Sequence, residues 1–207
     1  MPAQNIKTLF LDIGGVLLTN AWGRASRKLA AEKFSLDNLE MDERHHLCFD
    51  TYEMGKLSMD DYLHQIVFYE HRNFSVEDFK KFIFAQSTSL GQHIDYFKQL
   101  KKEHHLKVFA INNEAKEMNE HRIQKFGLSQ LFDAFISSCY VGLRKPDKDI
   151  FRLACDIAQT KPSEGLFIDD RHMFVEVAQS TGLTAIQFDN LEQVKEKIGK
   201  LKFKADN

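Results

Sequence analysis

Apolar and polar positions along the chain follow one pattern up to about residue 88 and another after it. A short apolar run at residues 7–11 predicts a buried strand, which ends just before the acidic residue Asp12. Apolar residues then recur at helical spacing, and this periodicity predicts helices over residues 25–34, 42–54, 59–71 and 76–84. Ser58 and Ser75 stand before two of these helices and are typical N-cap residues.

From Gly91 onward, predicted helices and strands alternate. Strands are predicted over residues 106–112, 134–138, 166–169 and 184–188, and helices over 93–103, 115–126, 148–158 and 173–180, with a terminal amphipathic helix whose lysine-rich face spans 195–204. Such alternation is typical of a parallel sheet with right-handed crossovers. The sequence therefore predicts an α/β protein with a Rossmann-like, doubly wound parallel sheet and a small helical segment inserted after the first strand.

Carboxylates stand at the ends of two predicted strands. Asp12 follows the first strand and precedes Gly14 and Gly15, whereas Asp169 and Asp170 end a later one. If the two strands are neighbours, these acids meet at the carboxyl edge of the sheet, where open α/β sheets bind ligands. Three clustered carboxylates repel one another unless a cation shares the site, and hard oxygen ligands suit Mg²⁺.

A lysine lies between these acids in the sequence. Lys145 precedes Pro146, and proline is favoured in the first turn of a helix, such as the one predicted to follow. This position puts Lys145 at a helix entrance, from which its ammonium group can reach the same crevice as the acids.

The order of these elements resembles the haloacid dehalogenase superfamily, most of whose members are magnesium-dependent phosphatases and phosphomutases. The resemblance covers essentially the whole chain and rests on four motifs: Asp12–Val16, Val108–Asn113, Arg144–Pro146 and Phe167–Asp170. It implies that the Asp12 strand lies in the middle of the sheet, between the strands of residues 106–112 and 166–169. It also implies a core domain of residues 1–18 and 89–207, with residues 19–88 as a helical cap over the site.

The resemblance further implies a mechanism. Asp12 is the expected nucleophile, which forms an aspartyl-phosphate. The expected ligands of Mg²⁺ are Asp12, the backbone carbonyl of Gly14 and Asp170, with Asp169 acting mostly through water. Phosphate binding falls to Lys145, Asn112 and Asn113, and the substrate class is a small organic phosphate ester such as a sugar phosphate.

Three positions depart from the family pattern. Gly14 stands where phosphatases of the family usually have a second Asp, which serves as general acid and base. Asn112 replaces the usual Ser or Thr, and Phe174 replaces an acid that often follows the metal ligand. Two alternatives to a phosphatase therefore stay open: a binding or regulatory protein with impaired turnover, and a metal-independent 2-haloacid dehalogenase. Paired Asp169 and Asp170 argue against the dehalogenase, because a halide site gains nothing from extra negative charge.

Composition adds constraints on partners and location. The 207 residues are 43% hydrophobic and carry a formal net charge of −2, so no basic field attracts nucleic acid or an anionic membrane surface. Three cysteines without metal-site spacing predict free thiols in a reducing cytoplasm, and no signal or transmembrane segment is recognised. Adjacent histidines at 45–46 and 104–105 are expected to be solvent-exposed, and nothing in the pattern indicates an oligomeric state.

Overall fold

The computed structural model of the protein describes residues 5–203, which form seven strands. These are β1 (Asn5–Ile6), β2 (Thr8–Leu11), β3 (Lys107–Asn112), β4 (Ala134–Ser137), β5 (Gly165–Asp169), β6 (Thr184–Gln187) and β7 (Lys202–Phe203). Five of them make a parallel sheet in the order β4-β3-β2-β5-β6. The expected fold class is confirmed, and so is the position of the Asp12 strand between its two predicted neighbours.

Ten α-helices are present in the described part of the chain. Six belong to the sheet layer: α5 (His93–Glu103), α6 (Lys116–Lys125), α7 (Ser138–Val141), α8 (Lys148–Ala158), α9 (His172–Ser180) and α10 (Leu191–Ile198). The other four are α1 (Arg24–Phe34), α2 (Asn38–Glu53), α3 (Met59–Ile66) and α4 (Val76–Ala85). We call residues 19–88, which contain these four helices and Trp22, the helical insert.

The sheet is buried on both faces. Leu9 and Leu11 of β2 join one apolar cluster, which α5 and α10 cover through Phe97 and Val194. Phe10 points to the opposite face and joins a second cluster under α8 and α9. This arrangement explains why the strands read as continuous apolar runs rather than as alternating ones.

The helical insert has an aromatic core of its own. Phe79 is fully buried, and its ring packs edge-on against Trp22 at a centroid distance of 5.8 Å and in a tilted arrangement against Phe34 at 4.9 Å. Two of its helices begin as predicted, because the side chains of Ser58 and Ser75 accept hydrogen bonds from backbone N–H groups in the first turn.

The chain departs from the predicted elements in a few places. Helix α3 ends at Ile66 rather than at residue 71, since Arg72 donates to the carbonyl of Val67 and a turn follows. The terminal helix ends at Ile198, and β7 beyond it pairs in parallel with β1. Lys204, at the end of the lysine-rich segment, lies outside the described residues.

The cysteine thiols and the helix lengths bear on two expectations from the sequence. The thiols of Cys48, Cys139 and Cys155 are all free. Among residues 5–203, no helix combines the length and the apolar character needed to cross a membrane.

Replacing Phe79 by alanine should selectively weaken the helical insert. Truncating a buried phenylalanine costs about 3–5 kcal/mol, and Trp22, the one tryptophan of the chain, touches this ring. The midpoint of urea unfolding, monitored by tryptophan fluorescence, should therefore move to a lower urea concentration. Leu47→Ala is the control, because Leu47 is 82% exposed and its truncation should change stability by less than about 0.5 kcal/mol. Equal shifts for the two variants would contradict this account of the core.

Candidate active site

Three carboxylates meet at the carboxyl edge of the sheet. The backbone N–H of Asp12 donates to the carbonyl of Ile168 at 2.9 Å, which continues the β2–β5 ladder past the last paired residues. Asp12 therefore lies beside Asp169, and Asp170 follows directly. One oxygen from each carboxylate lies within 4.8 Å of the others, as the two strand endings predict.

A buried lysine links two of these acids. The Nζ of Lys145 lies 2.5 Å from Asp169 Oδ2 and 3.1 Å from Asp12 Oδ1, and the residue is only 1% exposed. The ring of Phe174 lies 5.2 Å from this ammonium group, so the aromatic side chain covers the ion pair. Burial alone would lower the pKa of Lys145, but the Asp12 and Asp169 carboxylates outweigh it and raise the pKa.

The loop that carries Lys145 is held from a neighbouring strand end. Asn113, which follows β3, donates through Nδ2 to the carbonyl of Lys145 and accepts from its N–H, both at 2.8 Å. Asn112 is bound to its surroundings as well, because its amide donates to Asn119 at 3.1 Å and accepts from Ser137 Oγ at 2.8 Å. Both asparagines line the cavity of the site, and their role in phosphate binding stays a prediction.

The carboxylate cluster carries more negative charge than one lysine neutralises. Burial raises the pKa of Asp12 to about 7, with Lys145 opposing this shift and Asp169 and Asp170 adding to it. Burial, followed by the charge of Asp169, also raises the pKa of Asp170. The Oδ1 atom of Asp170 is buried and has no hydrogen-bond partner among the described residues. A hard divalent cation fits this donor set, because it supplies both the missing charge and the missing partner.

Glycine is required where the chain turns beneath these acids. Gly15 has a φ of +73°, and a Cβ atom there would stand 2.2 Å from Asp170 Oδ2. At Gly14 a Cβ atom would meet Asn20 Oδ1 at 2.5 Å and Arg122 Nη1 at 3.7 Å. A side chain at position 14 would therefore have to displace the Asn20 side chain.

A cavity of about 360 Å³ lies above the acids, between the sheet layer and the helical insert. Asp12, Asn112 and Lys145 form part of its sheet side, and Trp22 and Tyr52 belong to the insert side. Such a volume accommodates a small organic molecule.

Three arginines that line the cavity are paired with acids. Arg27 Nε bonds Asp42 Oδ1 at 2.7 Å, and Arg122 Nη1 bonds Glu114 Oε2 at 2.5 Å. Burial raises the pKa of Glu114 to about 6, although Arg122 opposes this shift. The third arginine, Arg144, bonds Glu53 of α2 at 2.5 Å and also pairs with Asp50 of α2.

These pairs also connect the insert to the sheet layer. Arg144 precedes Lys145, so its ion pairs join the lysine loop to α2. Arg122 of α6 donates to the Thr19 carbonyl at 2.7 Å and to Ser87 Oγ at 3.0 Å. Thr19 and Ser87 lie at the two ends of the insert, where the chain joins it to the sheet layer.

One histidine expectation is wrong. His45 is only 9% exposed and lines the cavity, whereas His46 beside it is exposed as expected. Helical spacing from Met41 to His45, Cys48 and Tyr52 places His45 on the apolar face of α2, and this spacing was a signal available in the sequence. A similar spacing holds in α6, where Arg122 is buried on the same side as Met118 and the N-cap residue Ala115.

Comparison with known proteins decides the family. A model of haloacid dehalogenase-like hydrolases matches residues 6–182. The chain belongs to this hydrolase family. A haloacid dehalogenase family enzyme of Bacteroides thetaiotaomicron, solved in complex with magnesium and inorganic phosphate, is similar with a TM-score of 0.77 and 19% identity, over 92% of this chain and 99% of that one. L-2-haloacid dehalogenase of Xanthobacter autotrophicus gives a TM-score of 0.64 at 16% identity, over 94% and 83%. At these identities the two structures establish a common fold.

Curated relatives of this hydrolase differ in length. D-ribitol-5-phosphate phosphatase of Bacteroides thetaiotaomicron is 24% identical in an alignment of 202 positions, which covers 89% of this chain and 93% of the relative. Drimenol cyclase drtB of Aspergillus calidoustus is 26% identical over 93% of this chain, but the chain spans 36% of its length. Rat bifunctional epoxide hydrolase 2 matches 28% of this chain at 39% identity, which is 11% of that protein.

Alanine at position 15 should lower the free energy of unfolding more than alanine at position 91 does. Both glycines have positive φ, +73° and +67°, so both substitutions carry the left-handed strain of about 1–2 kcal/mol. Only Gly15→Ala also displaces the Asp170 side chain, since nothing lies within 4 Å of a Cβ atom at Gly91. We expect a further loss of about 1–3 kcal/mol in the free energy of unfolding for Gly15→Ala. Equal losses in urea titrations would mean that the Asp170 carboxylate is not held against Gly15.

Proposed function

We propose that this hydrolase is a magnesium-dependent phosphatase that cleaves a small organic phosphate ester through an aspartyl-phosphate. The observation that carries the proposal is the convergence of three carboxylates and one buried lysine beneath a small cavity. Phosphoryl transfer needs a positioned nucleophile and neutralisation of the charge on the transferring oxygens, and these residues supply both.

The metal ligands of this proposal are the Asp12 and Asp170 carboxylates and the backbone carbonyl of Gly14. Support comes from Asp170 Oδ1, which is buried without a partner. Asp169 is instead engaged by Lys145 and by the N–H of Arg171 at 2.8 Å, which agrees with a role mostly through water. Bound Mg²⁺ would withdraw charge from the phosphoryl oxygens and hold the Asp12 carboxylate ionised.

Asp12 acts as the nucleophile. One carboxylate oxygen attacks phosphorus, the bond between phosphorus and the alcohol oxygen breaks, and that oxygen leaves with its electron pair and takes a proton from solvent. Water then attacks the phosphorus of the aspartyl-phosphate, which releases inorganic phosphate and restores the Asp12 carboxylate. Gly14 has no side chain to donate the proton to the alcohol, so esters with good leaving groups should react fastest.

Phosphate binding falls mainly to Lys145, whose ammonium group lies 3.1 Å from the nucleophile. Asn112 and Asn113 line the same cavity and are the further proposed contacts. Their amide groups already bond Asn119 and the Lys145 backbone, so each has one N–H left for a phosphoryl oxygen.

In this proposal residues 19–88, the helical insert, act as a cap over the site, and residues 1–18 and 89–207 form the core domain. The relation to D-ribitol-5-phosphate phosphatase supports a sugar or polyol phosphate as substrate. A reducing cytoplasmic location is part of this proposal and rests on the three free thiols.

Asp12→Asn should reduce magnesium-dependent phosphate release by at least about 10³-fold, because the amide is not a nucleophile. The assay is phosphate release from a panel of phosphate esters with and without Mg²⁺. Asp156→Asn makes the same chemical change at an exposed position of α8 and should leave the rate unchanged. Halide release from 2-haloacids without metal would instead identify a dehalogenase, and magnesium binding without turnover would identify a binding protein.

Mg²⁺ should also raise the melting temperature of the protein. A ligand at about 100 times its dissociation constant stabilises the folded state by about 2.7 kcal/mol. Asp170→Asn removes a charged ligand and should weaken magnesium affinity at least about 10-fold, whereas Asp156→Asn should not change it. A melting temperature that rises equally in Asp170→Asn and in the unaltered protein would remove Asp170 from the metal site.

A further inference from the structure

A chain of hydrogen bonds inside the helical insert ends at the cavity. The indole Nε1 of Trp22 bonds the Tyr62 hydroxyl at 2.8 Å, and that hydroxyl bonds Nδ1 of His45 at 2.7 Å. Tyr62 is fully buried, whereas Trp22 and His45 both line the cavity. No residue described by the structure bonds the other ring nitrogen of His45, Nε2, and that atom is not among the buried unpartnered ones.

The direction of these bonds follows from the chemistry of the indole. An indole N–H can only donate, so the Tyr62 oxygen accepts from Trp22. If the oxygen also accepted from His45, its own proton would be buried without an acceptor, because these two are its only partners within residues 5–203. An orphaned buried donor is costly, so the hydroxyl donates to Nδ1.

The imidazole is also held neutral. Burial is the main cause that lowers the pKa of His45 to about 3; Arg27 and His46 contribute to this shift, and Asp42 opposes it. A neutral imidazole carries a single N–H, and Nδ1 is the acceptor in this chain. The proton of His45 therefore lies on Nε2.

Ring packing restrains this donor. The His45 ring stacks on Phe49 at a centroid distance of 5.1 Å, and Tyr52 stacks on Tyr62 at 4.0 Å with an interplanar angle of 6°. A donor whose ring and partner are both stacked loses little conformational entropy when it binds a ligand.

We infer that His45 is a specificity-determining residue, whose Nε2–H is a fixed donor that recognises an uncharged acceptor oxygen, a hydroxyl or carbonyl, on the leaving group of the substrate. This inference rests on the proposed phosphatase function and extends it to the part of the substrate that is not phosphoryl. An uncharged donor suits an uncharged oxygen, and the nearby Arg27 is already paired with Asp42.

A matched pair of esters tests the inference. Ribitol 5-phosphate and n-pentyl phosphate have the same carbon chain length, but only the first carries hydroxyl groups. His45→Phe keeps an aromatic ring and removes the donor, so the preference in kcat/KM for the hydroxylated ester should fall about 10-fold. His45→Gln retains an amide donor near the Nε2 position and should keep more of the preference than His45→Asn.

His64→Phe is the control, because His64 is an exposed residue of α3 outside the cavity. The preference should not change in this variant. An unchanged preference in His45→Phe would overturn the inference. If the unaltered protein releases phosphate from neither ester, the preference is measured from the dissociation constants of the two esters, and the proposed function fails only if the whole ester panel is also unreactive.

Nitrogen NMR of the imidazole gives a readout independent of turnover. We expect an Nε2-protonated His45 ring that does not titrate between about pH 5 and 8, because its pKa is far lower. Tyr62→Phe removes the hydroxyl that fixes Nδ1 and should move the Nδ1 shift and reduce the ester preference. A proton on Nδ1, or titration near the usual histidine pKa, would contradict the assignment of the donor.

Discussion

A buried ammonium group between two carboxylates is the interaction on which the site depends. Lys145 and Asp169 are almost inaccessible to solvent, and each would be an uncompensated buried charge without the other. Breaking such a pair by removing one partner costs about 3–5 kcal/mol. The pair therefore fixes the positions of the Lys145 loop, the end of β5 and Asp12 relative to one another.

The backbone around this pair is arranged to keep it in place. Asn113 bonds both the N–H and the carbonyl of Lys145, so the end of β3 fixes the loop that carries the ammonium group. The ladder between β2 and β5 sets Asp12 beside Asp169, and Gly15 leaves room for Asp170. Three neighbouring strands thus each contribute one part of the site, which is why parallel strands in this order are needed for it.

Alternating apolar strands and helices predicted the parallel sheet, because this periodicity is a local property of the sequence. The central position of the Asp12 strand, on which the meeting of the acids depends, came from the family resemblance, because strand order is not a local property. An acid that ends an apolar strand, as Asp12 and Asp169 do, lies at the carboxyl edge of a parallel sheet. The pairing of β1 with β7 joins two-residue strands from opposite ends of the chain, and so short a segment carries no periodicity. The burial of His45 does not follow from its polar residue type, which is typical of the surface, but from its helical spacing between Met41 and Tyr52.

The two ends of the cavity differ in how their charges are balanced. At the sheet end, three carboxylates face one ammonium group, so a cation gains from the unpaired charge. At the insert end, Arg27 and Arg144 are already paired with acids and His45 is uncharged. A paired ion gains little from a further counter-charge, because its charge is already balanced by its partner. In the proposed function this difference favours binding of the phosphoryl group at the sheet end, beside Lys145, and of uncharged polar groups beside His45 at the other end.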